Sequence, residues 1–94
     1  MWGCRNSIAG TPTVTITSIA CLSDNAGTTA LTITEYTAAN ALVGTVAASF
    51  NCSQTWAAGS LGAVTTIPAG YYLKFSVVSD GATKTTSFDV EGTV

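Results

Sequence analysis

The chain has 94 residues, of which 47% are apolar and only 9% are charged, and its formal net charge is -2. This length fits one domain with a modest core, and the apolar share excludes an intrinsically disordered chain. The basic residues Arg5, Lys74 and Lys84 are dispersed, so no nucleic-acid partner is expected. No apolar run reaches the roughly 18 residues that a membrane span needs, so no membrane partner is expected either.

The charged share is far below the usual share of about 25%. The surface must therefore consist largely of Thr, Ser, Ala, Asn and Gly. Either this is an extracellular β-domain that its hydroxyl groups keep in solution, or it is a subunit that stays packed against other subunits. The N-terminus lacks the positive region and apolar segment of a secretory signal. We expect either a removed signal or another route of release, such as lysis of a cell that holds assembled particles.

The first ten residues show no apolar period, and residues 1–12 are expected to form an N-terminal arm ahead of a single domain at 13–94. Trp2 in this arm is expected either to fold back onto its own domain or to dock on a neighbouring subunit. Apolar residues then alternate with polar ones from residue 11 to 22. Their phase changes at Thr17 and Ser18, which predicts a β-bulge or a strand that crosses between two sheets.

Two further alternating runs follow. The run from Thr28 to Tyr36 is rich in Thr, whose branching at Cβ favours a strand. The segment from Glu35 to Leu42 could also form a helical turn, but it is too short to stand alone. The longest run, from Ala41 to Cys52, places six residues on one predicted inner face: Leu42, Gly44, Val46, Ala48, Phe50 and Cys52.

The second half of the chain contains the clearest strand. A loop over residues 53–60 and a weaker alternating run that ends at Ile67 come before it. Pro68-Ala69-Gly70 then predicts a tight turn. Four apolar residues alternate with polar ones after that turn: Tyr71, Leu73, Phe75 and Val77. Asp80-Gly81 predicts a hairpin turn, and the residues from Ala82 to Val94 supply the last strand.

This succession of short strands without a long helical pattern defines the predicted fold class. Six strands occur, or seven if the first region splits at its bulge. The spacing predicts an all-β domain, an antiparallel β-sandwich or small jelly-roll of about six to eight strands.

The sequence offers little for catalysis. It contains no His, so Ser-His-Asp and Cys-His arrangements are absent, and a zinc site is not expected. Asp89 and Glu91 share one strand face about 7 Å apart. They could hold a cation or act as acid and base, although a solvated strand face that discourages edge pairing is the simpler interpretation. We expect no enzyme, no catalytic residue, no metal site and no cofactor.

Three cysteines occur, and an odd number cannot all pair within one chain. Cys21 and Cys52 each end an alternating run on its apolar face, so they could meet across strands. They form either a disulfide or two small buried apolar side chains. Cys4 lies in the predicted arm and is either free or available for an intermolecular bond.

Four aromatic residues lie outside the inferred core: Trp2, Tyr36, Trp56 and Tyr72. Glycan-binding β-sandwich modules stack sugars on such side chains, and Trp56 in its loop is the best candidate. The alternative is a Trp that covers one end of the sandwich. Trp2, Trp56 and Tyr72 are the predicted interface or ligand contacts.

Four segments carry a resemblance to a known class of domain. They are Ile16 to Cys21, Thr28 to Thr34, Val46 to Cys52, and Ile67 to Leu73 with its Pro-Ala-Gly turn. Over roughly residues 13–94 the chain resembles small β-sandwich modules of tailed-phage virion proteins, of the capsid-decoration, head-fibre and tail-fibre types. These modules have no active site to carry over.

The resemblance implies a non-enzymatic structural protein on the virion surface. Such a subunit decorates the capsid or is otherwise bound to the particle. Its partners would be the major capsid protein or neighbouring subunits, and it would form homo-oligomers. The short chain with its own Met1 favours a small separate subunit over the end of a fibre shaft.

Two other functions stay open at this point. A glycan-binding module would use Trp56 and the neighbouring loops to recognise a surface glycan. A subunit of an extracellular filament would use its N-terminal segment to add a strand to the next subunit.

Overall fold

The computed structural model describes residues 2–10, 12–24, 29–78 and 85–94, with backbone only for Trp2. The turn predicted at Asp80-Gly81 lies outside these residues. Eight strands occur in the described chain: β1 Trp2–Arg5, β2 Val14–Ser23, β3 Ala30–Tyr36, β4 Leu42–Asn51, β5 Ala57–Ala58, β6 Thr66–Ile67, β7 Tyr72–Val78 and β8 Thr86–Thr93. The described residues include no helix, so the helical turn considered for Glu35 to Leu42 does not form.

The strands form two antiparallel sheets packed as a sandwich, which confirms the predicted all-β class. Sheet A has the order β1-β7-β3-β4. In sheet B the central strand is β2, which pairs with β8 along one edge and with the short strands β5 and β6 along the other. The weak run predicted before Ile67 contributes only the two residues of β6.

The core lies between the sheets and consists mainly of aliphatic side chains. Eleven residues form it: Ile16, Ile19, Cys21, Leu31, Ile33, Val46, Ala47, Cys52, Ile67, Leu73 and Phe75. The phase change predicted in β2 is confirmed, because the pairing with β8 shifts between Ile16 and Ser18. This bulge allows Ile16 and Ile19 both to face the core despite their unequal parity.

The predicted inner face of β4 is wrong at Leu42 and Ala48, which are exposed. The pairing of β4 with β3 shifts register at three places. Each extra residue in a strand moves the side chains that follow it to the opposite face. As a result the adjacent residues Val46 and Ala47 are both buried.

The interpretation of the N-terminal residues as an irregular arm is wrong for residues 2–5. Trp2–Arg5 form an edge strand of sheet A, where Cys4 pairs with Leu73 and Arg5 pairs with Tyr72 on β7. The backbone of Trp2 thus lies on its own domain, while its side chain is outside the described part. β1 could not be predicted from the sequence, because backbone pairing needs no alternation of apolar and polar side chains.

Asn6 attaches the segment after β1 to the domain. Its side chain is buried, and its Nδ2 donates to the carbonyl oxygens of Pro12 and Ile67, both at 2.8 Å. Its backbone N–H donates to the Tyr71 carbonyl, and its own carbonyl accepts from Gly70 N–H, both at 2.9 Å. These hydrogen bonds hold Asn6 close to Pro12 and to the turn before β7.

That turn is the one predicted at Pro68-Ala69-Gly70. Tyr71 N–H donates to the Pro68 carbonyl at 3.0 Å, and Gly70 has a φ of 82°, which an L side chain rarely adopts. In β7, which follows, Leu73 and Phe75 are buried as their alternation predicts.

Candidate functional site

The outer face of sheet A carries a polar aromatic cluster of four residues: Tyr36, Asn40, Tyr72 and Lys74. Tyr36 and Tyr72 are register partners on β3 and β7, so both side chains lie on one face. Their ring centroids are 5.6 Å apart and the planes differ by 16°, a stacked arrangement. The Nζ atom of Lys74 lies 4.1 Å from the Tyr36 centroid. This cation–π contact contributes about 0.5–1 kcal/mol at an exposed site.

The connection between β3 and β4 positions Asn40 beside this ring pair. Asn40 has a φ of 72°, the left-handed region that Asn tolerates better than most residues. Its N–H donates to the Thr37 carbonyl at 2.9 Å, and the Thr37 N–H donates to the Ala41 carbonyl at 2.8 Å. Held in this way, Asn40 Oδ1 accepts a hydrogen bond from the Tyr72 hydroxyl.

The polar aromatic cluster continues across the sheet at both sides. Arg5 is the register partner of Tyr72, which places it on the same outer face. Leu42 is the register partner of Tyr36 and is 63% exposed. Arg5 and Lys74 are the only basic residues that the structure describes, so the basic side chains of the described chain share this face.

Sheet B presents the opposite charge. Asp89 and Glu91 on β8 are exposed and alternate with Phe88 and Val90, which pack against the core. Glu91 Oε2 accepts a hydrogen bond from Ser18 Oγ at 2.8 Å. In the described ranges no group of three His, Cys, Asp or Glu residues is arranged to hold a metal ion.

The structure does not bring the predicted contact residues Trp56 and Tyr72 together. Trp56 is 53% exposed and comes just before β5, whose Ala57 pairs with Cys21 in sheet B. Tyr72 lies on sheet A at the Tyr36 end of β3. Cys21 belongs to the end of the sandwich at which β3 begins, because its disulfide partner Cys52 donates a backbone hydrogen bond to Thr29. The length of β3 separates these two ends by about 20 Å.

Cys21 and Cys52 form a disulfide with a Cα–Cα distance of 5.1 Å. Of the two interpretations that the sequence left open for this pair, the structure has the disulfide. Both residues are buried, and the bond joins β2 in sheet B to the residue that follows β4 in sheet A. It therefore links the two sheets directly.

A pocket of about 190 Å³ opens between the sheets on the side where β1 and β8 are the edge strands. Apolar side chains predominate in its lining, which includes Ile8, Val14, Ile16, Ile67 and Val90. The charged residues Arg5 and Glu91 also line it. The free thiol of Cys4 also lines it. Burial raises the pKa of the Cys4 thiol above its usual value, although the residue as a whole is exposed.

Glu35 is a buried carboxyl group that was not among the predicted site residues. It is only 1% exposed and follows Leu31 and Ile33 on the inner face of β3. Its Oε1 has no hydrogen-bond partner among the residues that the structure describes, and desolvation raises the pKa of the carboxyl group. Parity could have predicted its inward position, but Glu is almost never fully buried without a partner.

Comparison with protein-family models, with curated proteins and with solved structures found no match for this chain. In the part of the chain that the structure describes, no helix has the length and apolarity needed to cross a membrane.

Proposed function

We propose that this protein is a non-enzymatic structural subunit that acts through protein–protein contacts on the surface of a virion. Its role there is to decorate the capsid or to bind another component of the particle. The observation that carries this proposal is the open side of the sandwich. There, among the described strands, β1 pairs only with β7 and β8 pairs only with β2, beside an apolar pocket.

Unpaired strand edges are templates for another chain, and monomeric proteins usually protect them. A subunit that is always assembled can instead use them as contact surfaces. The small fraction of charged residues also favours an assembled subunit, because a free domain commonly carries more charge for solubility. The resemblance to phage β-sandwich modules supplies the virion as the assembly.

Co-sedimentation tests this proposal. Virions of the phage that encodes this chain are first stripped of the protein. The purified chain is then mixed with them, and the amount of chain in the pellet is quantified. We expect saturable binding at a fixed number of copies per particle. A chain that stays in the supernatant at every concentration contradicts the proposal.

Two matched variants test whether the virion contact lies at the open side of the sandwich. Ile8 lines the pocket and is 47% exposed, whereas Val78 is 70% exposed at the end of β7 where β3 begins. Ile8→Asp should weaken binding to virions about tenfold or more, because it puts a charge at an apolar contact. Val78→Asp should bind like the original chain, and equal losses for both variants would contradict this placement.

Glycan binding is the second candidate, favoured by the exposed side chain of Trp56. Trp56→Ala should then abolish retention on a glycan array while the thermal unfolding midpoint stays within a few degrees. The filament alternative is less favoured, because β1 already pairs with β7 of the same chain.

A further inference from the structure

We infer that the outer face of sheet A binds the outer face of sheet B of a second copy of this chain, head to tail. The inference deepens the proposed function and rests on it, since it identifies how neighbouring subunits contact one another. The two faces of the sandwich carry opposite charges.

The described charges are divided by sheet. Arg5 and Lys74 lie on the outer face of sheet A, and the described residues contain no ion pair to either side chain. Arg5 also lines the pocket at the open side, as Glu91 does. Asp89 and Glu91 lie on the outer face of sheet B. The other two described carboxyl residues belong to neither face, because Glu35 is buried in the core and Asp24 follows the end of β2.

The two charged pairs also have similar spacing. Asp89 and Glu91 are two residues apart on one strand, a distance of about 7 Å. Arg5 is the partner of Tyr72 and therefore a diagonal neighbour of Lys74, about 7–8 Å away. Both cations of one copy can therefore face both carboxylates of the next copy at the same time.

The surroundings of these charges suit a packed contact. The Tyr36 and Tyr72 rings lie beside the basic pair, and Tyr and Arg are both enriched in protein interfaces. Leu42 on the same face adds an exposed apolar side chain. Beside the carboxylates lie Ser18 and Ala20, the register partners of Glu91 and Asp89. These small side chains allow a second sheet to approach closely.

Charge also selects the geometry of the contact. Two copies joined by equivalent faces would bring Arg5 and Lys74, or Asp89 and Glu91, against their own kind. Like charges at short range oppose such a pairing. The favoured contact joins different faces, and a heterologous contact of this kind builds rings or open filaments.

Sedimentation velocity on the full chain at low and high salt tests the inference. We expect species larger than the 9.5 kDa monomer at low salt and a shift toward monomer at about 1 M salt, where the Debye length is about 3 Å. Arg5→Glu with Lys74→Glu should be monomeric alone, and so should Asp89→Lys with Glu91→Lys. An equimolar mixture of these two double variants should associate again. The first variant is then acidic on both faces and the second is basic on both faces, so each face of one variant meets an oppositely charged face of the other.

A matched control separates this contact from net charge. Gln54→Glu with Ser60→Glu adds two negative charges at exposed loop positions and should leave association unchanged. Arg5→Gln with Lys74→Gln lowers the net charge by the same amount and should weaken association about tenfold or more. A monomeric original chain at low salt overturns the inference, and so does a mixture of folded reversal variants that stays monomeric.

If the original chain is monomeric but binds a sulfated or carboxylated glycan in an Arg5- and Lys74-dependent way, the basic face is a ligand site and the inference is wrong. Virion binding is measured separately by co-sedimentation. Self-association without virion binding would therefore contradict the proposed role on the virion but support the inferred contact between copies.

Discussion

Asn6 donates a hydrogen bond through Nδ2 to the carbonyl of Ile67, at 2.8 Å and across 61 residues of sequence. Asn6→Ala removes this donor and also the one to Pro12. A buried acceptor left unpaired costs about 1–3 kcal/mol, so we expect a loss of that size in the free energy of unfolding. Urea unfolding measures it, and hydrogen exchange should show faster exchange in β1. Ser7→Ala, at the exposed neighbour, is the control, and equal losses for both would contradict the role of Asn6.

Because of Glu35, we expect the free energy of unfolding to decrease as pH rises. Burial raises the pKa of this carboxyl group in the folded chain. Between the unfolded and the raised folded pKa the folded state binds more protons, so the free energy of unfolding decreases with increasing pH. Unfolding measured between about pH 4 and pH 8 should show this slope in the original chain.

Glu35→Gln should remove that slope, because the amide does not titrate. Glu91→Gln also removes one carboxyl group, but at an exposed position on β8, and should keep the slope. A Glu35→Gln variant with the full pH dependence of the original chain would show that another group carries it.

The disulfide between Cys21 and Cys52 closes a loop with a sequence separation of 31. The chain-entropy model gives a stabilisation of about 3–4 kcal/mol for a loop of this size. We expect Cys21→Ser with Cys52→Ser to lower the free energy of unfolding by about that amount, measured by urea denaturation. Cys4→Ser is the matched control and should change stability little, because this thiol is free.

The Cys4 thiol should react more slowly than an ordinary free thiol at neutral pH. Its pKa is raised by burial, so a smaller fraction is thiolate, the form that reacts. Alkylation by iodoacetamide, followed by mass spectrometry, should give a rate that rises with pH and reaches half its maximum at a higher pH than in the urea-unfolded chain. Matching pH profiles for the folded and unfolded chains would contradict this prediction.

Asn40 combines a positive φ with a hydrogen bond from Tyr72, and two variants separate these contributions. Asn40→Gly loses the hydrogen bond but accepts the backbone conformation. Asn40→Ala loses the hydrogen bond and also adds strain of about 1–2 kcal/mol in the left-handed region. Thermal unfolding should therefore rank the original chain and the Gly variant above the Ala variant. An Ala variant as stable as the Gly variant would show that this backbone conformation is not strained.

The alternation of apolar residues was enough to predict the fold class and the best-defined strand. In β7 the alternation of Leu73 and Phe75 with polar residues shows which side faces the core, because successive side chains of a strand point to opposite faces. The turn before it could also be predicted, since Pro68 fixes its own φ and Gly70 accepts the positive φ that the turn needs. The bulge in β2 was visible because apolar residues stand on both sides of the phase change.

Pairing between distant segments decided the rest. The bulges in β4 depend on its register with β3, and β1 exists because its backbone meets β7, about seventy residues later. The stacking of Tyr36 on Tyr72 and the division of basic and acidic side chains between the two sheets arise in the same way. The sequence by itself determined an all-β sandwich, because side-chain alternation is a local property of a strand. Only the tertiary structure decided which strands are edges and which charges share a face, because strand order and register join residues that the sequence keeps far apart.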